Sequence, residues 1–199
     1  MKKYEVVVVG VSAGGLGAIS LIIPSLPAEF SLPVIIVQHL HESSDDFLAG
    51  YIDAKSNLRV KEAMDKEPIL PGNVYIAPAN YHLLIEDDRA FCLSTEDRVN
   101  WSRPSIDLLF ESAADVYGDK VIGLILTGAN DDGCTGLKKI KEFGGLSIVQ
   151  DPATAQSDFM PRAAIKAVKP DYVLKLEQIA PFLENLVKNN PSERLNKND

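Results

Sequence analysis

The chain has 199 residues, 46% of them hydrophobic, and a formal net charge of −8. This length and composition predict one domain with a sizeable core, and the acidic balance without any cluster of Lys or Arg argues against nucleic acid or an anionic membrane as the main partner. The chain has two cysteines without metal-ligand spacing, no signal-peptide core and no apolar run near the roughly 20 residues that span a bilayer, which predicts a cytoplasmic protein with no inserted segment and no metal site.

The first patterned stretch is a strand, a glycine-rich turn and a helix. Four consecutive valines at residues 6–9 are typical of a strand that is covered on both faces in a parallel sheet. The turn at residues 10–15 has the sequence GVSAGG, and apolar residues at helical spacing follow it as far as Pro24. Ser12 lies in the middle of a G-x-S-x-G pattern, in which glycines flank a nucleophilic serine at a sharp turn. Two alternatives are a helix cap at Ser12 and a dinucleotide-binding turn, which has glycine where Ser12 stands.

A second apolar strand, residues 34–37, ends in the sequence QHLH. Ligands of open parallel sheets bind beyond the carboxyl ends of the strands. One of the two histidines, His39 or His41, is therefore expected near Ser12, and the pattern leaves the choice between them open.

A third strongly apolar strand, residues 121–126, opens into a loop that holds the adjacent residues Asp131 and Asp132. Aspartate also favours turns for backbone reasons, so the pattern alone assigns a role to neither. A serine, a histidine and an aspartate at three strand ends supply a nucleophile, a base and a carboxylate that orients the base, which is the chemistry of acyl transfer. Their order along the chain differs from that of the α/β-hydrolases, in which the histidine comes last.

Between the second and third of these strands lies a region with a different pattern. Residues 82–86 and 90–94 flank a polar turn and predict a β-hairpin. A loop at residues 100–105 follows and leads into the next helix. Trp101 and Arg103 in this loop are candidates for ligand contact, because loop aromatics and arginines often bind ligands. The alternative for Trp101 is packing over its own helix.

The rest of the chain alternates helices and strands as far as a final helix at about residues 176–187. This alternation predicts a three-layer, doubly wound α/β fold, with a mostly parallel sheet, helices on both faces and the antiparallel β-hairpin at one edge. Residues 1–188 are expected to form this domain. Residues 189–199 are polar and charged, and they are expected to form a tail.

The sequence also resembles the catalytic domain of the CheB chemotaxis methylesterases over about residues 6–183. The motifs that carry the resemblance are GVSAGG at 10–15, VQH at 37–39, VYIAP at 74–78, SRPSID at 102–107, LTG at 126–128 with DG at 132–133, and MPR at 160–162. These motifs occur in the order that the family has, which makes chance agreement a poor explanation.

The resemblance implies a catalytic triad of Ser12, His39 and Asp132. In this triad the carboxylate of Asp132 accepts a hydrogen bond from Nδ1 of His39, and the other histidine and the other aspartate are bystanders. The oxyanion donors that the resemblance implies are backbone N–H groups near Ala13 and Ala129.

The implied activity is hydrolysis of γ-glutamyl methyl esters on the cytoplasmic domain of a methyl-accepting chemoreceptor. Deamidation of receptor glutamines is implied as a second activity, and no cofactor is required. Trp101 and Arg103 are then candidates for substrate binding. A methyltransferase or a separate receiver protein is a further partner that the resemblance suggests.

Two features depart from the family pattern. Ala13 and the pair Ala129-Asn130 stand where the family usually has threonine and methionine-glycine. The family also typically carries an N-terminal receiver domain, whereas Met1 lies only a few residues before the first strand, so we expect no regulation by phosphorylation in cis. The alternative hypothesis is a catalytically weak interaction module that binds a sensory or methyltransferase partner.

Overall fold

A seven-stranded parallel sheet forms the centre of the computed structural model, which describes residues 3–39 and 47–188. The strands, in chain order, are β1 (Val6–Val11), β2 (Val34–Gln38), β3 (Arg59–Glu62), β4 (Asn73–Ile76), β5 (His82–Ile85), β6 (Phe91–Ser94), β7 (Val121–Ile125), β8 (Leu146–Gln150) and β9 (Tyr172–Leu174). The helices are α1 (Gly15–Ile22), α2 (Phe47–Asp53), α3 (Ile106–Tyr117), α4 (Cys134–Glu142), α5 (Phe159–Val168) and α6 (Leu176–Lys188). The strand order across the large sheet is β3-β4-β2-β1-β7-β8-β9.

The valine-rich strand β1 lies at the middle of this sheet and is buried along its whole length. It pairs in parallel with β2 on one side, where Val11 is opposite Gln38, and with β7 on the other, where Gly10 is opposite Ile125. The chain therefore winds outward from β1 in both directions. In such a sheet the ligand crevice lies at the switch point, which here is formed by the carboxyl ends of β1, β2 and β7.

Each face of the sheet is covered by its own set of helices. Alternate side chains of β1 point to opposite faces, so Val7 and Val9 enter one core while Val6 and Val8 enter the other. The first core includes residues of α1, α2 and α6, and the second includes residues of α3, α4, α5 and the hairpin. These three layers confirm the predicted doubly wound α/β fold.

The predicted β-hairpin is present, but it does not extend an edge of the large sheet. Strands β5 and β6 pair with each other in a separate two-stranded sheet. The apolar side chains of Leu83, Ile85 and Phe91 are buried in the second core. The backbone N–H of Ile85 also donates a hydrogen bond to Ser112 Oγ on α3. Burying its apolar face against α3 holds the hairpin away from the sheet edge.

The end of the chain matches the prediction as far as it is described. The predicted last helix is α6, which ends at Lys188. The predicted tail, residues 189–199, lies outside the described residues, and so does His41. Within the two described ranges, no helix has the length and apolar character needed to cross a membrane.

Gly10 brings β1 and α3 into close contact, and this contact is testable. A Cβ added at Gly10 would lie 2.3 Å from Cγ2 of Ile106. We expect Gly10→Ala to lower the free energy of unfolding by about 1–3 kcal/mol, the usual cost of overpacking a core. Denaturant unfolding followed by circular dichroism measures the change.

Gly17→Ala in α1 is the matched control, because a Cβ added at Gly17 meets no heavy atom within 4 Å. Alanine is the better helix former, so this variant should gain about 0.5–1 kcal/mol. Equal stability of the two variants would contradict the contact between β1 and α3.

Candidate active site

Ser12 lies on the turn that connects β1 to α1. Its N–H donates to the carbonyl oxygen of Thr127 at 3.0 Å, and its own carbonyl oxygen accepts from the N–H of Gly15 at 2.9 Å. Gly14 has a φ of 81°, in the left-handed region that glycine adopts without strain. The helix therefore begins only three residues after Ser12, and the positive end of its dipole is close to the serine.

His39 lies beside Ser12 because it follows the neighbouring strand, β2. Its N–H donates to the carbonyl oxygen of Val11 at 3.1 Å, which continues the pairing of Val11 with Gln38 by one residue. The His39 side chain is 13% exposed. Its Nε2 atom lies 2.9 Å from Oδ2 of Asp132, so two of the three residues assigned by the resemblance are in contact, and the third, Ser12, directly follows Val11 in the chain.

Asp132 is fully buried, whereas Asp131 is exposed. Besides His39, three groups at the start of α3 donate hydrogen bonds to its carboxylate: the N–H of Ile106 at 2.8 Å, the Oγ of Ser105 at 3.0 Å and the N–H of Asp107 at 3.2 Å. Burial alone would raise the pKa of Asp132, but the bonds from His39 and from the N–H groups lower it below its usual value. The group is therefore a carboxylate at neutral pH.

The ring nitrogen that contacts Asp132 differs from the prediction, which placed Nδ1 of His39 in this bond. Nε2 is farther from the backbone and reaches the carboxylate held at the start of α3. Because the carboxylate only accepts, Nε2 carries the hydrogen in the neutral imidazole, and Nδ1 then has the lone pair. The side-chain amide of Asn130 lies 3.4 Å from Nδ1. Nδ1 is therefore the nitrogen that can act as a base.

Asp107 is a second buried carboxylate, whose role the sequence analysis missed. It lies in the first turn of α3, and its Oδ1 accepts from the N–H of Gly136 in α4 at 2.8 Å. Its Oδ2 accepts from Nδ2 of Asn100 at 3.1 Å. Asp132, just before α4, thus caps α3, while Asp107 in α3 caps α4. The only sequence signal was an aspartate at the start of a predicted helix.

The environment of Asp107 raises its pKa to about 6. Burial is the largest cause, and the negative charge of Asp132 adds to it, while the hydrogen bond from Gly136 acts in the opposite direction. Two carboxylates in one buried site cannot both ionise easily.

Thr127 connects the serine turn to the loop that follows β7, and it was also missed. Its Oγ1 donates to the carbonyl oxygen of Ala13 at 2.8 Å and accepts from the N–H of Ser157 at 2.9 Å. Its N–H donates to Oε1 of Gln150 at 2.9 Å. A threonine that directly follows a buried strand gave little sign of this role, because its partners lie far away in the sequence.

The predicted oxyanion donors are backbone N–H groups at exposed positions. Ala13 and Ala129 are both exposed, and within residues 3–39 and 47–188 the N–H of neither donates a hydrogen bond. Ala13 adjoins Ser12, and Ala129 lies on the loop after β7. Both N–H groups can therefore donate a hydrogen bond to a ligand oxygen.

Trp101 and Arg103 differ sharply in exposure. Trp101 is 92% exposed, so it does not pack over its own helix, and it has a positive φ of 64°. Arg103 is turned into the protein. Its Nε and Nη2 donate to Oδ1 of Asn80, and its Nη1 donates to the carbonyl oxygens of Thr95 and Glu96. Arg103 therefore holds the loop on which Trp101 is displayed.

An open cleft of about 490 Å³ lies beside Ser12. Its other lining residues include Gly14, Leu16, Gln38, Phe47, Leu48 and Gln156. Leu16 and Phe47 are large apolar side chains that remain exposed. Within the described ranges, no cluster of three or more His, Cys, Asp or Glu side chains could hold a metal ion.

The fold and the site together define a doubly wound α/β protein with a serine, a histidine and an aspartate at its switch point. Residues 7–183 match the family model described as CheB methylesterase. This chain therefore belongs to the CheB methylesterase family, as the sequence motifs predicted.

Similar proteins agree with this assignment. A relative from Leptospira interrogans, "Putative protein-glutamate methylesterase/protein-glutamine glutaminase", is 55% identical over 96% of this chain and 100% of its own length. A relative from Thermotoga maritima, "Protein-glutamate methylesterase/protein-glutamine glutaminase", is 39% identical over 92% of this chain and 54% of its own length. The crystal structure of the Thermotoga maritima CheB methylesterase catalytic domain matches with a TM-score of 0.89 at 39% identity, covering 94% of this chain and 100% of that one.

The raised pKa of Asp107 predicts a pH dependence of stability. Between about pH 4 and pH 6 the folded state binds more protons at this group than the unfolded state does, so its contribution to stability falls as the pH rises. Asp107→Asn removes this pH-dependent contribution to the free energy of unfolding. The free energy of unfolding of the variant relative to wild type should therefore increase between about pH 4 and pH 7.

Denaturant unfolding at several pH values measures this trend, which does not depend on any constant offset caused by the lost charge. Asp131→Asn, a change of the same kind at an exposed position, is the control and should show no such trend. A difference between Asp107→Asn and wild type that stays constant with pH would contradict the prediction.

Proposed function

We propose that this chain is a protein-glutamate methylesterase that hydrolyses γ-glutamyl methyl esters on the cytoplasmic domain of a methyl-accepting chemoreceptor. Deamidation of receptor glutamines is the second activity in this proposal. The observation that carries it is the 2.9 Å contact between His39 and the buried carboxylate of Asp132, next to Ser12. The names of the relatives from Leptospira and Thermotoga support the same substrate class. From that substrate we infer a cytoplasmic location.

The proposed mechanism begins when Ser12 Oγ attacks the γ-carbonyl carbon of the ester. Nδ1 of His39 takes the serine proton, because Nε2 already donates to Asp132, whose charge stabilises the imidazolium. The N–H groups of Ala13 and Ala129 stabilise the negative oxygen of the tetrahedral intermediate. The imidazolium gives the proton to the methoxy oxygen as its bond to carbon breaks, and methanol leaves. Water, activated by the same nitrogen, then hydrolyses the acyl-enzyme and releases glutamate.

Deamidation follows the same steps, with ammonia as the leaving group.

The amide of Asn130 lies near Nδ1 of His39 at a distance of 3.4 Å, which is a weak hydrogen bond. Ser12 Oγ replaces this weak partner when substrate is bound.

Receptor binding in this proposal uses the surfaces on both sides of the site. The loop that Arg103 holds displays Trp101 on the Asp132 side, because Ser105 in the same segment contacts that carboxylate. The apolar cleft with Leu16 lies on the Ser12 side. A receptor helix that contacts both can present an ester side chain between them. A methyltransferase or a separate receiver protein remains a further proposed partner.

Methanol release from a methylated receptor domain tests the proposed activity, with Ser12→Ala as the inactive comparison. Asp132→Asn should lower turnover by about 10⁴-fold, as in the best-studied serine triad, because the imidazole then adopts the wrong tautomer. Asp131→Asn is the matched control and should retain turnover to within about tenfold, because Asp131 is exposed.

Circular dichroism establishes that each variant is folded, which matters because Asp132 also caps α3. The triad assignment fails if folded Asp132→Asn loses less than about tenfold, since a positioned base normally contributes at least 10²-fold. Receptor binding by the wild type without any methanol release would favour the interaction module instead.

Trp101 provides a separate test of receptor docking. Truncating an exposed aromatic that is buried in a complex commonly costs 2 kcal/mol or more, so Trp101→Ala should raise KM for the receptor by roughly 30-fold. The kcat and the hydrolysis of a small p-nitrophenyl ester should stay at the wild-type level. Phe143→Ala, at an aromatic that is 47% exposed after α4, is the control. An unchanged KM for Trp101→Ala would refute a role of this loop in docking.

A further inference from the structure

Gln38, the last residue of β2, contacts the backbone of both the proposed nucleophile and the proposed base. Its side chain is buried, with 6% of the residue exposed. The amide Nε2 donates one hydrogen bond to the carbonyl oxygen of Ser12 at 2.9 Å and another to the carbonyl oxygen of His39 at 3.0 Å. The two N–H groups of the Gln38 amide thus bond to Ser12 and His39, the two residues whose separation matters for the proposed reaction.

These bonds continue the pairing of β1 with β2 beyond its last backbone bond. The N–H of Val7 donates to the carbonyl oxygen of Pro33, and donors from β1 recur at every second residue of a parallel ladder. The next donor in this series toward the carbonyl oxygen of His39 would be the N–H of Ala13. The chain turns at Ser12, and Gln38 Nε2 takes that place instead. Among the residues that the structure describes, the N–H of Ala13 is thereby left without a partner and can donate to a ligand oxygen.

The oxygen of the Gln38 side chain indicates why position 38 holds a glutamine: the residue serves through its N–H donors and not through its volume. Within the described part of the chain, the buried Oε1 atom has no hydrogen-bond partner. A buried acceptor without a partner is destabilising, and an apolar side chain of the same length would fill the space without this penalty. The space exists only because residue 15 is glycine, since a Cβ added at Gly15 would lie 1.8 Å from Oε1.

We infer that Gln38 is a positioning residue of the proposed reaction: its amide fixes the separation of Ser12 and His39 and frees the N–H of Ala13. This inference rests on the proposed function. Loss of the amide lets the serine turn and the end of β2 move apart. A misplacement of about 1 Å in an active site can lower the rate by about 10²-fold.

The test uses a small fluorophosphonate, which reports on the serine without any receptor contact. Ser12 Oγ attacks phosphorus, fluoride leaves, and the serine proton passes to His39. Gln38→Met keeps the side-chain length and removes the donors. We expect its second-order labelling rate constant to fall about 10- to 100-fold. With methylated receptor, kcat should fall by a similar factor while KM stays within about twofold, because both donors of Gln38 bond to the backbone and Gln38→Met keeps the length of the side chain that lines the cleft.

A second variant displaces the amide while Gln38 stays in place. In Gly15→Ala the new Cβ pushes the flexible end of Gln38 away, and the labelling rate should fall as in Gln38→Met. The double variant should be no slower than the slower single one, because both remove the same contacts. Gly50→Ala in α2, where an added Cβ meets no heavy atom within 4 Å, is the control and should label at the wild-type rate.

The outcomes separate this inference from the proposed function. A wild type that is not labelled at Ser12 would overturn both. A labelled wild type, together with a folded Gln38→Met labelled at the same rate, would overturn the role of Gln38 alone, and so would losses in the double variant that multiply. If Gln38→Met does not fold, Gly15→Ala decides the question, with an unchanged labelling rate as the refuting result.

Discussion

The site depends on the burial of one carboxylate, that of Asp132. A buried carboxylate is tolerated only when hydrogen-bond donors surround it, and here the donors are the start of α3 and the imidazole of His39. The same interaction therefore caps a helix and orients the proposed base. This arrangement ties the position of His39 to the packing of α3 against the sheet.

A second carboxylate, that of Asp107, completes an exchange between two helices. Each aspartate caps the other's helix, and each keeps a negative charge close to its neighbour. The positive ends of α3 and α4 offset this repulsion. Burial is the main cause of the raised pKa of Asp107, and the negative charge of Asp132 adds to it. Asn100, which donates to Asp107, adjoins the exposed Trp101. The proposed docking loop is thus connected to the carboxylate of Asp132 through a short series of hydrogen bonds.

Two of the departures from the family pattern, Ala13 and Ala129, are residues whose proposed role is carried by the backbone. Ala13 and Ala129 would stabilise an oxyanion through N–H groups, which any side chain at those positions leaves in place. The position of these N–H groups depends on the serine turn and on the loop after β7, and two side chains fix these segments. Thr127 joins the serine turn to the loop after β7, and Gln38 joins the same turn to the end of β2. These contacts favour an enzyme over a weak interaction module.

The sequence predicted the buried first strand, the glycine turn after it, and the loops that hold His39 and Asp132. Each of these features depends on residues that are neighbours in the chain. The family motifs selected Asp132 over Asp131, and burial of Asp132 agrees with that choice. Only the tertiary structure decided that Nε2 of His39 faces the carboxylate, that the hairpin leaves the sheet edge to pack on α3, and that Arg103 turns inward. The contact between His39 and Asp132 joins residues 93 positions apart. No local pattern records such a contact, since its geometry arises when separate elements pack against one sheet.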